Sequence, residues 1–577
     1  MKKIFLFSVA LLSASYAFSQ SAIDAYRLSQ PDMKGTARFM SMGGAFTALG
    51  GDLSTLSQNP GGIGVYRNSD IGFTLDLDMQ HSTGESGEFH SAVDQTKFLL
   101  NNIGFVWTLR LPSQSCPNIN VGFTYNKSAS FNRRYSGAIG LTNGTQSLSN
   151  LVANVATLNG YSVDMLAGDN DPYNPSGGNY GADWLSILAY NSYLISPTGK
   201  NSYEGQWRDN VTTGYGYFDV MEKGSVDSYN IALGGNISNV VFWGMDFDIT
   251  HMNYTLTPNW TEVLNDAFVG DDYGNIDRIP AAWTLDNFYN CSGTGFNYKL
   301  GFIVKPIQEF RLGFAFHTPT WYTFNESFSA NLAYQYGDPN YPNNLDQGYA
   351  STDDGYMSYN DVNFRTPWKI TAGAAAVLFN RLILSADYEW AQYSNMKYSA
   401  PTYNYGGPSY DPWDDPWYPW YAKPKMGAAK YIGSPYLDEY YDINENIKQI
   451  YQNTNTVRIG AELRLLPQLS LRAGYAHVSS PVRSEAKSAV TETAGTIPNY
   501  RFDNETNYVT CGLGFNVKGF YVDAAYIYKQ MESEYHAYSP WNNYAYGDNS
   551  PYNFGTSPTS KLHLSNSQVV LSMGYKF

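Results

Sequence analysis

The dominant pattern along the chain is an alternation of period two. Ile71, Phe73, Leu75, Leu77 and Met79 alternate with Gly72, Thr74, Asp76, Asp78 and Gln80, so one face is apolar and the other polar or small. The same rhythm returns at Ile103 to Leu109, Val121 to Tyr125, Tyr229 to Leu233, Val241 to Ile249, Phe296 to Phe302, Phe310 to Phe316, Trp368 to Leu378, Leu382 to Trp390, Val457 to Leu465, Leu469 to Tyr475, Val509 to Val517, Phe520 to Tyr528 and Val569 to Phe577. This predicts about 14 strands, each near the roughly 9–11 residues that a tilted strand needs to cross a bilayer. Tight turns at Pro117-Asn118, Ser238-Asn239, Lys305-Pro306, Phe379-Asn380, Pro467 and Lys518-Gly519 alternate with long loops, as an outer-membrane barrel requires of its two ends. A soluble sandwich would need a second apolar layer, which the chain does not supply. In lipid, closure into a barrel also removes the open edge, where unpaired backbone groups are costly. The expected fold is all-β: a transmembrane antiparallel barrel spanning residues 69–577, with large extracellular loops at 132–225 and 394–453. An even strand number places both termini in the periplasm.

A different texture precedes the strands. Residues 35–64 are rich in glycine and small side chains, with apolar pieces on either side of Gly50-Gly51. Asp52 is placed to cap one helical turn, Leu53 to Gln58, which Asn59-Pro60-Gly61 stops. Glycine at this density brings backbone close to other backbone. No Lys-Ser/Thr follows a glycine loop, so this is no phosphate cradle.

The segment Ala37-Arg38-Phe39-Met40-Ser41-Met42-Gly43-Gly44-Ala45-Phe46-Thr47-Ala48-Leu49 followed by Asn59-Pro60-Gly61 resembles the N-terminal hatch of the FadL family of outer-membrane transport proteins. That family carries Asn-Pro-Ala at the turn, so Gly61 departs from its pattern. The resemblance implies a plug, residues 20–68, inside the barrel lumen, with Arg38, Gly43, Gly44, Asn59, Pro60 and Gly61 as its gating residues. It implies passive uptake of hydrophobic small molecules such as long-chain fatty acids, with an exit sideways through the barrel wall. It further implies that surface loops receive the substrate first, a role that fits the aromatics Trp413, Trp417, Tyr418 and Trp420.

Composition agrees with a membrane barrel. The chain opens with Met1-Lys2-Lys3, an apolar run from Ile4 to Leu12 and Ala17-Phe18-Ser19-Gln20, the layout of a secretory signal peptide over residues 1–19. Aromatics make up 16% of the chain against 15% charged residues, a balance that aromatic girdles and a polar lumen produce. A net charge of -15 would repel phosphates and argues against nucleic acid as a partner. Phe577 closes the last strand and resembles the terminal signal read by the outer-membrane assembly machinery. The remaining expected partners are outer-membrane lipids and the hydrophobic substrate, and the protein is expected to be monomeric.

Catalytic chemistry is not evident. Seven histidines are scattered without metal-ligand spacing, no Gly-x-Ser-x-Gly elbow occurs, and Cys116, Cys291 and Cys511 read as isolated thiols. No enzyme, cofactor or metal is expected; acid clusters at Asp169 to Asp171, Asp271-Asp272 and Asp411 to Asp415 lack the EF-hand spacing. The lumen-facing charges set Asp76, Asp78, Asp246, Asp248, Asp387, Glu389, Glu462 and Asp523 against Arg311, Arg458, Arg464, Arg472 and Lys529. These should pair across the lumen and hold the hatch. An arginine among Arg311, Arg458, Arg464 and Arg472 could instead grip a substrate carboxylate with two donors. A second reading is a docking or scaffold subunit of a secretion system, and a third is a receptor for haem or another aromatic ligand. An apolar channel from the loops to the hatch would favour transport, and a filled lumen would favour docking.

Overall fold

A computed structural model describes residues 21–30, 32–141, 147–167, 173, 182–208, 212–270, 276–337, 345–401, 440–488, 495–539 and 557–577. The expected signal peptide, the aromatics Trp413, Trp417, Tyr418 and Trp420, and the three acid clusters lie outside the described residues.

The alternation closes into an antiparallel barrel of 14 staves. Its strands in chain order are β1 (Asp70–Ser86), β2 (Phe89–Arg110), β3 (Asn118–Ser130), β4 (Arg133–Leu141), β5 (Gly214–Ile237), β6 (Val241–Gly270), β7 (Ile276–Ile307), β8 (Phe310–His317) and β9 (Trp321–Tyr336). They continue with β10 (Asp346–Ser351), β11 (Ser358–Arg365), β12 (Lys369–Leu378), β13 (Leu382–Gln392), β14 (Lys397–Ser399), β15 (Asn453–Arg464), β16 (Leu469–Val478), β17 (Tyr500–Val517), β18 (Phe520–His536) and β19 (Thr559–Lys576). Several staves are interrupted: β3 continues as β4, β8 as β9, β11 as β12 and β13 as β14. The seam closes where β1 pairs with β19, from Asp70↔Lys576 to Glu85↔Lys561.

The faces are inverted relative to a soluble protein. On β1, Thr74 and Asp76 are fully buried, while Ile71 and Phe73 are exposed. Apolar side chains therefore point outward around the wall, and the polar ones line the lumen. The strands are not uniformly short as expected: β6 has 30 residues and β7 has 32. Beyond the apolar band their inner face carries large aromatics such as Trp260 and Trp283, each 1% exposed. Here the apolar face turns inward because it packs on the inserted chain.

That insert is narrower than 132–225, since β4 and the first part of β5 belong to the sheet. Within it stand the helices α4 (Leu148–Leu158) and α5 (Trp184–Asn191). They bury Leu148, Ile187 and Leu188 completely in one core with Trp207, Trp260 and Trp283. The described part of the insert is a packed cap at the long-loop end.

The first and last described residues lie apart. Phe577 exchanges backbone hydrogen bonds with Ser69 at the tight-turn end. The N-terminal helix α1 (Ala22–Ser29) sits instead inside the long-loop end, where Tyr451 donates to the Ile23 carbonyl at 3.3 Å and the Tyr26 ring stacks on Tyr451. The expectation that both termini are periplasmic concerns residues outside the described ones at the N-terminal end; the first described residues stand at the end opposite Phe577. Strand parity fixes where β1 starts, but the chain ahead of it threads up through the lumen.

Candidate functional site

The hatch is built on short local bonds. Thr36 caps α2 (Ala37–Ser41), accepting from the Phe39 amide, and its hydroxyl donates to Asp52 at 2.7 Å. Asp52 also accepts from the Ser54 amide. The expected single turn forms as α3 (Thr55–Gln58). Asn59 then caps a 3-10 turn at Pro60–Val65, accepting from the Gly61 amide at 2.9 Å. Its amide nitrogen donates to the Thr47 carbonyl at 2.6 Å and to the Phe302 carbonyl of β7 at 3.3 Å. Asn59 is fully buried and joins three separate pieces of backbone.

The wall receives the hatch at a girdle of inward glycines. A Cβ at Gly244 would fall on the Pro60 carbonyl, one at Gly301 on the Asn59 side chain, and one at Gly460 within 2.5 Å of the Met42 carbonyl. From the hatch side, Gly43 has φ +63°, and a Cβ there would stand 2.9 Å from the Tyr475 backbone nitrogen. Backbone thus packs on backbone, which only glycine allows.

Charge completes the docking. Lys34, with its side chain fully buried, meets Asp76 at 2.7 Å and Asp78 at 3.3 Å. Asp32 meets Lys529 at 3.1 Å. Burial alone would raise the Asp32 carboxyl, but Lys529 and Lys34 outweigh it and hold the group well below the ordinary carboxylate value. Lys34 is likewise held above the usual lysine value: burial opposes its charge, and Asp76, Asp32 and Asp78 more than restore it. Arg38 reaches Glu462 at 2.9 Å, Glu462 meets Arg472 at 2.8 Å, and Arg472 meets Asp523 at 2.5 Å.

The four arginines expected as carboxylate partners have different fates. Arg458 pairs with Glu389 at 3.0 Å, and Arg472 bridges two wall carboxylates. Arg311 donates to the Leu49 carbonyl of the hatch at 2.9 Å. Arg464 stands exposed at the tight-turn rim, outside the lumen set.

Above the hatch lies a cavity of about 250 Å³. Its roof is Tyr26, Leu28 to Gln30 and Asp32 to Lys34, its floor includes Phe39 and Gln58, and its wall is lined mostly by polar residues. Lys299, His317 and Lys369 stand in one row across β7, β8 and β12. Lys299 is paired with Asp246 and Asp248, and His317 donates to the Gln58 carbonyl at 2.8 Å. Lys369 lines the cavity with no carboxylate in ion-pair distance among the described residues. It was missed because it follows Trp368 at a strand break. The phase slip between Phe364 and Lys369, bridged by Thr366-Pro367-Trp368, turns an odd-numbered position inward. The Pro in that bridge was the available signal.

The same cavity reaches Asn126, Lys127, Ser128 and Ala129 of β3, where the wall is split. Pairing of β2 with β3 stops at Asn102↔Asn126, although β2 runs on to Phe89. Past Ser130 the stave leans inward, so that Ser82 of β1 donates to the Arg134 carbonyl at 2.6 Å and Lys97 of β2 reaches Asn132 at 2.7 Å. Residues 89–101 of β2 thus keep a ladder on one side only. At the head of this slit the ladder shifts register so that Asn101 and Asn102 are both buried.

Comparison with known proteins bears on this arrangement. Residues 278–539 match the family model described as outer membrane protein transport protein (OMPP1/FadL/TodX). A crystal structure of a Pseudomonas aeruginosa FadL homologue aligns at TM-score 0.50 and 11% identity, covering 95% of this chain and 99% of that one. The toluene transporters TodX of P. putida and TbuX of Ralstonia pickettii align at TM-score 0.44, with 12% and 13% identity, each covering 95% of this chain and 99% of theirs. At such identity the likeness to the FadL homologue shows the fold. No curated protein sequence matches.

Proposed function

We propose that the chain is an outer-membrane transport protein of the FadL/TodX type, the family whose model matches residues 278–539, and that it passes amphipathic, anionic hydrophobic molecules, long-chain fatty acids among them, through the cavity above the hatch. The observation that carries this is the cavity's double character. It has one lysine, Lys369, that makes no ion pair among the described residues, because the carboxylate facing it, Glu389, is held by Arg458, and it has an end at the slit beside β2. A carboxylate at Lys369 gains a charge-assisted bond, while a neutral hydrocarbon would leave the ammonium with no acceptor in direct contact and only Glu389, already bound by Arg458, facing it.

In this reading the substrate enters from the long-loop end past α1, and its tail leaves sideways at the slit between β2 and the inward-leaning β4. Exit into lipid avoids exposing the tail to water, at about 25 cal/mol per Å². The hatch closes the lumen below. A lumen lined largely by ion pairs is not the apolar channel expected for transport of hydrocarbons, and that polarity is what points to an amphiphile. The test compares uptake of labelled palmitate and of a labelled long-chain alcohol by cells producing the protein or its Lys369→Met variant. Palmitate uptake that depends on the protein and falls several-fold in the variant, with the alcohol unaffected, supports the reading. Equal uptake with and without the inserted protein sinks it and moves weight to the docking role.

A further inference from the structure

We propose that the tight-turn face of the hatch carries a second binding site, for an amphiphilic anion, formed by Arg38, Arg67, Arg311 and Lys576. A cavity of about 310 Å³ opens there, and it shares no lining residue with the cavity above the hatch. Its wall has two halves. One is cationic, the four groups named; the other is apolar, with Leu49, Val65, Val377 and Ile383.

The charges in this site are not balanced. Arg38 holds Glu462, but Arg472 claims the same carboxylate oxygen. Lys576 stands 3.7 Å from Asp70, which also accepts from Tyr521. Arg67 and Arg311 meet no carboxylate in ion-pair distance among the described residues. Arg311 has one guanidinium nitrogen on the Leu49 carbonyl, while its Nε is buried with no hydrogen-bond partner. A buried donor without an acceptor is rare in a folded protein, and like charges gathered around one cavity repel until an anion separates them. The apolar half then selects among anions. A bare phosphate would meet only the cations, whereas a fatty carboxylate fills both halves.

The site stands on its own geometry, although in the transport reading it lies on the side opposite the loops. Because Glu462 keeps Arg472 when Arg38 lets go, an anion here can draw Arg38 across without stranding the wall carboxylate. That would loosen α2 from β15, tying occupancy of the inner face to the fit of the hatch.

The experiment titrates purified full-length protein, in a zwitterionic detergent, with octanoate, octanol and inorganic phosphate, read by calorimetry. Wild-type protein should bind octanoate saturably and both other probes at least tenfold more weakly. Arg67→Ser should weaken octanoate about fivefold or more; its side chain is exposed and its loss leaves the hatch contacts intact. Lys576→Gln should act in the same direction, and both losses should be as large in a Lys369→Met background, in which the cavity above the hatch has lost its free cation. Octanoate binding unchanged in the Arg67→Ser, Lys576→Gln double variant overturns the proposal, as does phosphate binding as tightly as octanoate. The readout involves no transport. A protein that binds octanoate here yet carries no palmitate loses the transport reading and keeps this one.

Discussion

Replacing Asn59 by alanine isolates what keeps the hatch in place. The side chain is fully buried and bonds the Thr47 carbonyl, the Phe302 carbonyl and the Gly61 amide. Truncation leaves the Thr47 carbonyl and the Gly61 N–H facing a buried void. Each buried group left unpaired costs about 1–3 kcal/mol. Allowing for partial relaxation, the pair amounts to about 3 kcal/mol, roughly a hundredfold shift from docked to undocked hatch. The barrel itself should be spared, because the long ladders on either side of β7 do not pass through Asn59. Hydrogen exchange read by mass spectrometry separates the two. Amides in residues 36–66 should lose about a hundredfold in protection, while those of β16 to β19 stay unchanged. Asn59→Asp keeps the acceptor for Gly61 and should fall between the two proteins. Unchanged protection of the hatch would refute the reasoning, and so would an equal loss in the barrel strands, which would mean that Asn59 supports the wall rather than the plug.

Gly301→Ala probes the same contact from the wall, since its methyl would overlap the Asn59 side chain. Overpacking of this kind costs about 1–3 kcal/mol, and exchange should quicken first around residues 59–62. The Asp32 site predicts a pH effect of definite sign. Its carboxyl is depressed in the folded protein, so its contribution is fully present above the ordinary aspartate value of 3.8 and is lost as pH falls toward the lower folded value. Hatch protection should hold down to about pH 4, decline as pH falls further in the wild type, and be flatter in Asp32→Asn.

The buried charges explain why a hatch of small residues is so tightly held. Lys34 sits between two carboxylates with no exposure of its side chain. Removing one partner of such a cluster leaves a buried charge uncompensated, which costs far more than the pair contributes by existing. The lumen charges therefore act chiefly as fasteners, and that leaves Lys369 as the exception. The same logic makes the crowded cations below the hatch notable, because two of them, Arg67 and Arg311, meet no carboxylate in ion-pair distance among the described residues.

The strands were legible in the sequence because their signal is local. An alternation such as Ile71 to Gln80 reports the two faces of a strand wherever that strand goes, and strand-sized repeats separated by turns leave little choice but a closed barrel in lipid. The hatch was legible for a similar reason, since glycine at Gly43, Gly44 and Gly61 announces close approach without saying to what. Partners were not legible. Arg38 and Glu462 are 424 residues apart, and which arginine meets which carboxylate depends on strand register and on where the hatch comes to rest. Arg464 shares the inward parity of Arg458 and yet ends at the rim, because its height along the stave decides what it can reach. The inward lean of β4, the slit beside β2 and the ascent of α1 into the loop end come from packing between distant segments. No window of sequence contains both sides of those contacts, so only the tertiary structure could decide them.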